Sequence, residues 1–295
     1  MSRDEDAIEP GYFSDEVDSG QVERLVLRFP TGDILITAAS EAGVGKVKAE
    51  LELRGPASAL AGWKPSVRRS EGILVLADEG SGGVRVAEAR ILVPAGFRDV
   101  EAHSGTGSIE ARGGGADLLA TTESGDIHVS GGAMVELSSE VGMIEAEGSA
   151  GLTARVGAGS LRCRGIGGPV SVESQSGDVA VEEASGNVIV ISASGDVSVQ
   201  RPGGRLRICS GSGDVELELV GRFLGGEVST SSGDVSLSLS DADLELRAET
   251  LSGGLEAPGA EIAVTSGPRR CALRLGSGGR RLHVRSVSGD VEIDY

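Results

Sequence analysis

Residues 176–200, SGDVAVEEASGNVIVISASGDVSVQ, speak one phrase three times: SGDVAVEEA, SGNVIVISA and SGDVSVQ. Each begins at a glycine corner and continues into apolar residues that alternate with polar ones, the period-two signature of a strand with one buried face. The step between copies is nine residues. Working outward, the residue that follows the turn glycine and precedes an apolar-x-apolar triplet recurs at Ser108, Asp117, Asp126, Met134, Met143, Gly151, Ser160, Pro169, Asp178, Asn187, Asp196, Arg205 and Asp214. Looser spacing then carries the series through Asp234 to Asp290. A slower period is nested within it. Ser-Gly-Asp-type corners fall on alternate units, about 18 residues apart, and Gly-Gly or Gly-Pro corners such as Gly131-Gly132 and Gly203-Gly204 fall between them. Nothing in a chain of hairpins would hold two unlike corners at a fixed spacing, whereas a coil with two faces requires it. The expected fold is all-β: a parallel β-solenoid of about 18 residues per rung and about ten rungs, right-handed by the crossover rule.

Composition agrees. The chain of 295 residues contains 47 glycines, placed at regular intervals between Val, Leu and Ile, and only seven aromatic residues, so its core consists of small branched side chains. The net charge of -18 has the wrong sign for phosphate backbones, which argues against nucleic acid as a partner. No stretch approaches the roughly 18 apolar residues of a membrane span. The three cysteines, Cys163, Cys209 and Cys271, form no CxxC pair, which favours a reducing compartment. The opening MSRDEDAIEPGYFSDEVDSG carries seven acids against one Arg and has no apolar h-region. A cytoplasmic location is therefore expected, and residues 1–20 are expected to be an acidic tail without structure.

Residues 21–97 keep the nine-residue step once, between ERLVLRF and GDILITA, and then become irregular, so they are expected to be a β cap on the repeats of 98–295. Residues 57–63, ASALAGW, suit one helical turn with Trp63 as a plug. An irregular β region, a strand ending in VPAG within ARILVPAGFRDVEA (89–102), and serial SGD-apolar-x-apolar units together resemble the bacterial β-strand-repeat domains named putative adhesins. The resemblance covers residues 21–295. It implies a right-handed parallel β-helix with a non-enzymatic surface or scaffold role, and it brings no catalytic residues with it.

The corner residues Asp126, Asp178, Asn187, Asp196, Asp214, Asp234 and Asp290 admit two readings. Stacked carboxylates at Asp178, Asp196, Asp214 and Asp234 could form a calcium ladder, since Ca²⁺ takes several oxygen ligands. Alternatively, each side chain accepts a hydrogen bond from a backbone N–H two residues on and shapes the turn. The second is preferred, because Ser160 and Asn187 can do the same and neither carries charge for calcium. No cofactor is expected and no catalytic residue is assigned. His103, His128 and His283 are scattered, and the aromatic platforms of a polysaccharide-active β-helix are missing. The expected function is a non-enzymatic structural or adhesin-like module; the alternatives are a calcium-stabilised β-roll and a partner-binding regulatory scaffold. Its partner would be an unknown protein or glycan. An Arg-rich end (Arg269, Arg270, Arg280, Arg281) offers a docking face or a solvated edge. The final SGDVEIDY, read as an open strand, suggests end-to-end pairing into a homo-oligomer.

Overall fold

The structure, a computed structural model, describes residues 8–20, 22–39, 45–80, 82–221, 223–240, 243–259, 262–263 and 268–295. The chain divides into two compact units, 1–144 and 145–295. Each contains two sheets of mostly parallel strands, and each repeats the same rung: a long strand, a Gly-Asp corner, a short strand, and a second glycine-rich corner. This is a β-solenoid.

In the second unit the rungs stack in strict register. Val179 lies beside Val197, and Val197 beside Val215, on the short-strand sheet. Val170, Val188 and Leu206 align on the long-strand sheet. The offset is the 18 residues that the spacing predicts, so each inward residue lies above its equivalent. Val181, Val190, Val199 and Ile208 are all fully buried. Cys163 lies in this core as a small apolar residue, and burial, with the Glu182 carboxylate adding to it, pushes its thiol up to about 12. Cys271 is buried as well.

The order of the rungs departs from the order of the chain at this unit's end. The strand Val291–Asp294 is inserted between Val235–Ser240 and Leu255–Glu256, and Arg280–Ser288 between Gly226–Ser232 and Leu244–Ser252. The last residues of the chain thus form an interior rung. SGDVEIDY is not the open edge that its terminal position suggested. Beyond it the long-strand sheet continues through Leu244–Ser252 to Arg269–Leu275, which runs antiparallel along it, and ends at Ile262–Ala263; the short-strand sheet ends at Leu255–Glu256. That reversal ends the parallel template, one way of protecting a solenoid end from further pairing.

The first unit repeats this arrangement at the other end of the chain. Arg24–Thr31 pairs with Asp99–Thr106 on one side and with Ile73–Ala77 on the other; Asp33–Ala38 likewise lies between Ile109–Arg112 and Arg85–Val93. Residues 24–38 are therefore a full rung in register with those that follow, rather than part of an irregular cap. Residues 1–7 of the expected tail lie outside the described residues. The remainder does not lack structure: Ile8–Asp18 is a strand antiparallel to Lys46–Pro56. Backbone pairing along its whole length holds what composition alone marked as a tail; the Glu16–Lys46 ion pair at 3.3 Å is solvent-exposed and adds little. The helical turn is Ala57–Leu60, and Trp63 is buried with its ring edge-to-face on Phe13 at 6.2 Å. Leu60 lies over Gly11, where a Cβ would come within 2.9 Å of it.

Candidate functional site

The Gly-Asp corner is built by backbone geometry. Gly195 has φ +106°, and a Cβ there would overlap the carbonyl oxygen of Gly177 one rung earlier; Gly213 repeats this over Gly195. Only glycine tolerates both demands. Because each corner carbonyl faces the next glycine, the Asp N–H that follows finds its acceptor in a side chain. Asp196 N–H donates to Asp178 Oδ1 at 3.0 Å, Asp214 N–H to Asp196 Oδ1 at 2.8 Å, Asp234 N–H to Asp214 Oδ1 at 2.8 Å and Asp290 N–H to Asp234 Oδ1 at 2.7 Å. Asp290 in turn accepts from Gly254 N–H, and Asp126 from Met143 N–H at 2.7 Å.

This ladder runs from rung to rung and corrects the expected bond, which lay within one turn, two residues on. A stacked coil places the equivalent N–H of the next rung within reach. Asn187 also accepts such a bond, from Arg205 N–H at 3.0 Å, but it precedes a long strand and so belongs to the opposite corner. It does not interrupt the acidic row. Among the described residues no group of three or more His, Cys, Asp or Glu is placed to hold a metal ion. In the row, one oxygen of each carboxylate is already committed to a backbone N–H.

Beside the corner in each unit runs a column that the sequence reading passed over: Ser104, Thr122 and Ser139 in the first, and Ser174, Ser192, Ser210, Thr230, Thr250 and Ser286 in the second, all buried. Thr122 Oγ1 donates to Gly107 O at 3.0 Å and Ser139 Oγ to Gly125 O at 3.1 Å; Ser192 and Thr230 each donate to the carbonyl two residues on, at 3.2 Å. The signal was present as a Ser or Thr four residues before the corner Asp, in SQSGD, SASGD, SGSGD, TSSGD and SVSGD. It escapes period-two reading because a hydroxyl stands where that pattern expects an apolar residue. Ser286 Oγ, like Ser149 Oγ elsewhere in this unit, is buried without a partner.

Outward positions are mostly polar. At the Arg-rich end, Arg270 pairs with Glu249, Arg281 with Glu245 and Arg285 with Glu227, at 3.2 to 3.5 Å, so much of the suspected docking charge is met within the chain. Exposed apolar side chains occur on several strands, Val141, Leu251 and Val287 among them, and the strand Val188–Ser194 is apolar on both faces. Ile189 and Ile191 are 39% and 48% exposed, with Ser171 and Arg207 flanking the first and Glu173 and Cys209 the second.

In the first unit the outer face of the long-strand sheet brings together residues the sequence left apart. His103 Nδ1 lies 2.6 Å from Thr121 Oγ1 on the next rung, beside an open polar cleft of about 640 Å³. Glu101 is 3.7 Å from His103 Nε2 and is also drawn to Arg24 at 3.4 Å. At 3.7 Å the carboxylate makes no hydrogen bond to Nε2, so the imidazole is oriented by its hydrogen bond to Thr121. His128 and His283 lie on other strands, half-exposed. Among the described residues no helix is long and apolar enough to cross a membrane.

The stacked rungs and corner ladder define a β-solenoid repeat protein. Residues 99–294 match the model of the Toastrack DUF4097 family, a domain of unknown function, and the chain belongs to that family. No curated protein matches it. It is similar to three solved bacterial structures. A putative adhesin from Bacteroides fragilis is 10% identical with 96% of each chain covered, at a TM-score of 0.36. A putative lipid binding protein from Parabacteroides distasonis is 10% identical with 96% of each covered, at 0.40. A putative adhesin from the same organism is 8% identical over 95% of this chain and 96% of that one, at 0.37. At these scores nothing about function follows from them.

Proposed function

We propose that the chain is a non-enzymatic interaction module, a right-handed coil of about ten rungs whose outer sheet faces meet a partner protein or glycan. The observation that supports this best is the exposed pair Ile189 and Ile191, flanked by Ser171, Arg207 and Glu173 and by the half-buried Cys209. Strand positions facing water are normally polar, and a local apolar cluster with a polar rim is how contact surfaces are built. The rigid register beneath it supports the same reading, since residues on such a face are held in place before a partner arrives. The corner carboxylates and most of the buried hydroxyls beside them are engaged in holding the backbone, and the outer faces carry the polar and apolar groups that a partner can reach. The test is an immobilised full-length chain screened against glycans and cell-extract proteins, in parallel with an Ile189→Ser, Ile191→Ser double variant and an Arg285→Ala control. A ligand that binds wild type and control but is weakened at least tenfold by the double variant supports the reading. Undiminished binding by the double variant removes this face from it.

A further inference from the structure

The first unit holds a partly open apolar cavity of about 500 Å³, within the size range of small-molecule sites. Its origin is legible rung by rung. Five residues past the first inward residue of the short strand, several rungs place a buried side chain: Ile166 after Leu161, Ala184 after Val179, Pro202 after Val197. The rungs that begin at Ile109 and Ile127 place Gly114 and Gly132 there, with φ of +96° and +103°, and the space between the sheets is left unfilled. The column Ile36, Ala111, Val129 lines one wall in register, with the small Ala111 between two larger residues. Val100 and Leu118 line the opposite wall, and the Val93–Phe97 loop, the VPAG element of the sequence, closes one side.

We propose that this cavity binds an unbranched aliphatic chain. It crosses three rungs spaced roughly 5 Å apart, and its wall is the in-register apolar column Ile36, Ala111 and Val129, along which a linear chain can lie. Among the described residues the only charged side chain lining it is Asp117, which is exposed and whose Oδ1 already accepts Met134 N–H at 3.0 Å. With no cation inside, the ligand's polar end stays in solvent. Ala95, Gly96 and Gly113 to Gly115 are exposed, so the rim carries almost no side-chain bulk. Dry apolar cavities take up apolar molecules readily.

The test titrates the full-length chain with 1-decanol and, separately, with decanoate by calorimetry. Single-site binding of both, within about threefold of each other, is expected. Ala111→Leu, which fills the wall, and Ala38→Leu, at the rim, should each weaken binding at least tenfold. Should either variant fail to fold, nuclear Overhauser contacts between decanol methylenes and the Phe97 ring of the wild-type chain locate the ligand directly. The proposal is overturned if neither probe binds, if decanoate alone binds, if both filled variants bind as wild type does, or if the contacts arise elsewhere.

Discussion

At the scale of the residue, the corner Asp acts through one acceptor oxygen, and its charge opposes the stack. Carboxylates about 5 Å apart repel by roughly 1 kcal/mol even in water. Asn keeps the acceptor and loses the charge. Asp196→Asn should therefore leave Tm unchanged or raise it at low salt, with the gain shrinking as salt screens the row. Asp196→Ala strands the Asp214 N–H and should cost about 1 kcal/mol. Thermal unfolding of both variants, repeated with millimolar calcium and with chelator, also separates turn-shaping from ion binding: a calcium-dependent rise in wild-type Tm would revive the ladder. The residues of this corner were legible in the sequence as Ser-Gly-Asp at fixed spacing. Their bond was not, because its partner lies 18 residues away and only stacking brings it close.

At the scale of the element, the strands were legible in the alternation of Val, Leu and Ile, whereas the turn that reverses the chain at the end of the second unit was not. There Asp243 accepts from Ser277 Oγ and from Gly278 N–H at 2.7 Å, joining the start of Leu244–Ser252 to the loop between Arg269–Leu275 and Arg280–Ser288. The Ser277 hydroxyl first, and then the backbone N–H of Gly278, hold the Asp243 carboxyl below its ordinary value. A depressed acid stabilises the fold above its unfolded pKa, and the contribution is lost as pH falls through the lower folded value. Hydrogen exchange at Gly278 should therefore be slow at neutral pH and accelerate, relative to neighbouring loops, once pH drops below the ordinary Asp value of 3.8. In Asp243→Ala that protection should be missing at every pH.

At the scale of the whole molecule, stability should not follow chain order. Terminal segments usually fray first, yet the strand Val291–Asp294 is paired along its length with Val235–Ser240 and, at Val291 and Glu292, also with Leu255–Glu256. Its amides should exchange as slowly as those of Val197–Gln200, and more slowly than those of Leu255–Glu256 outside it, when peptides are followed by mass spectrometry. Faster exchange at 291–294 than at 255–256 would contradict the inserted rung.

The sequence by itself determined the rung: its length, its two unlike corners, its inward positions and its parallel stacking, because each is a local pattern repeated often enough to exclude alternatives. Tertiary structure alone decided which rung lies beside which at the two ends of the chain, that residues 8–18 pair with 46–56, and that two glycine corners leave a cavity. Periodicity records what each rung needs from any neighbour. Which neighbour it receives depends on segments far apart in the chain competing for the same strand edge, and no local spacing encodes the outcome.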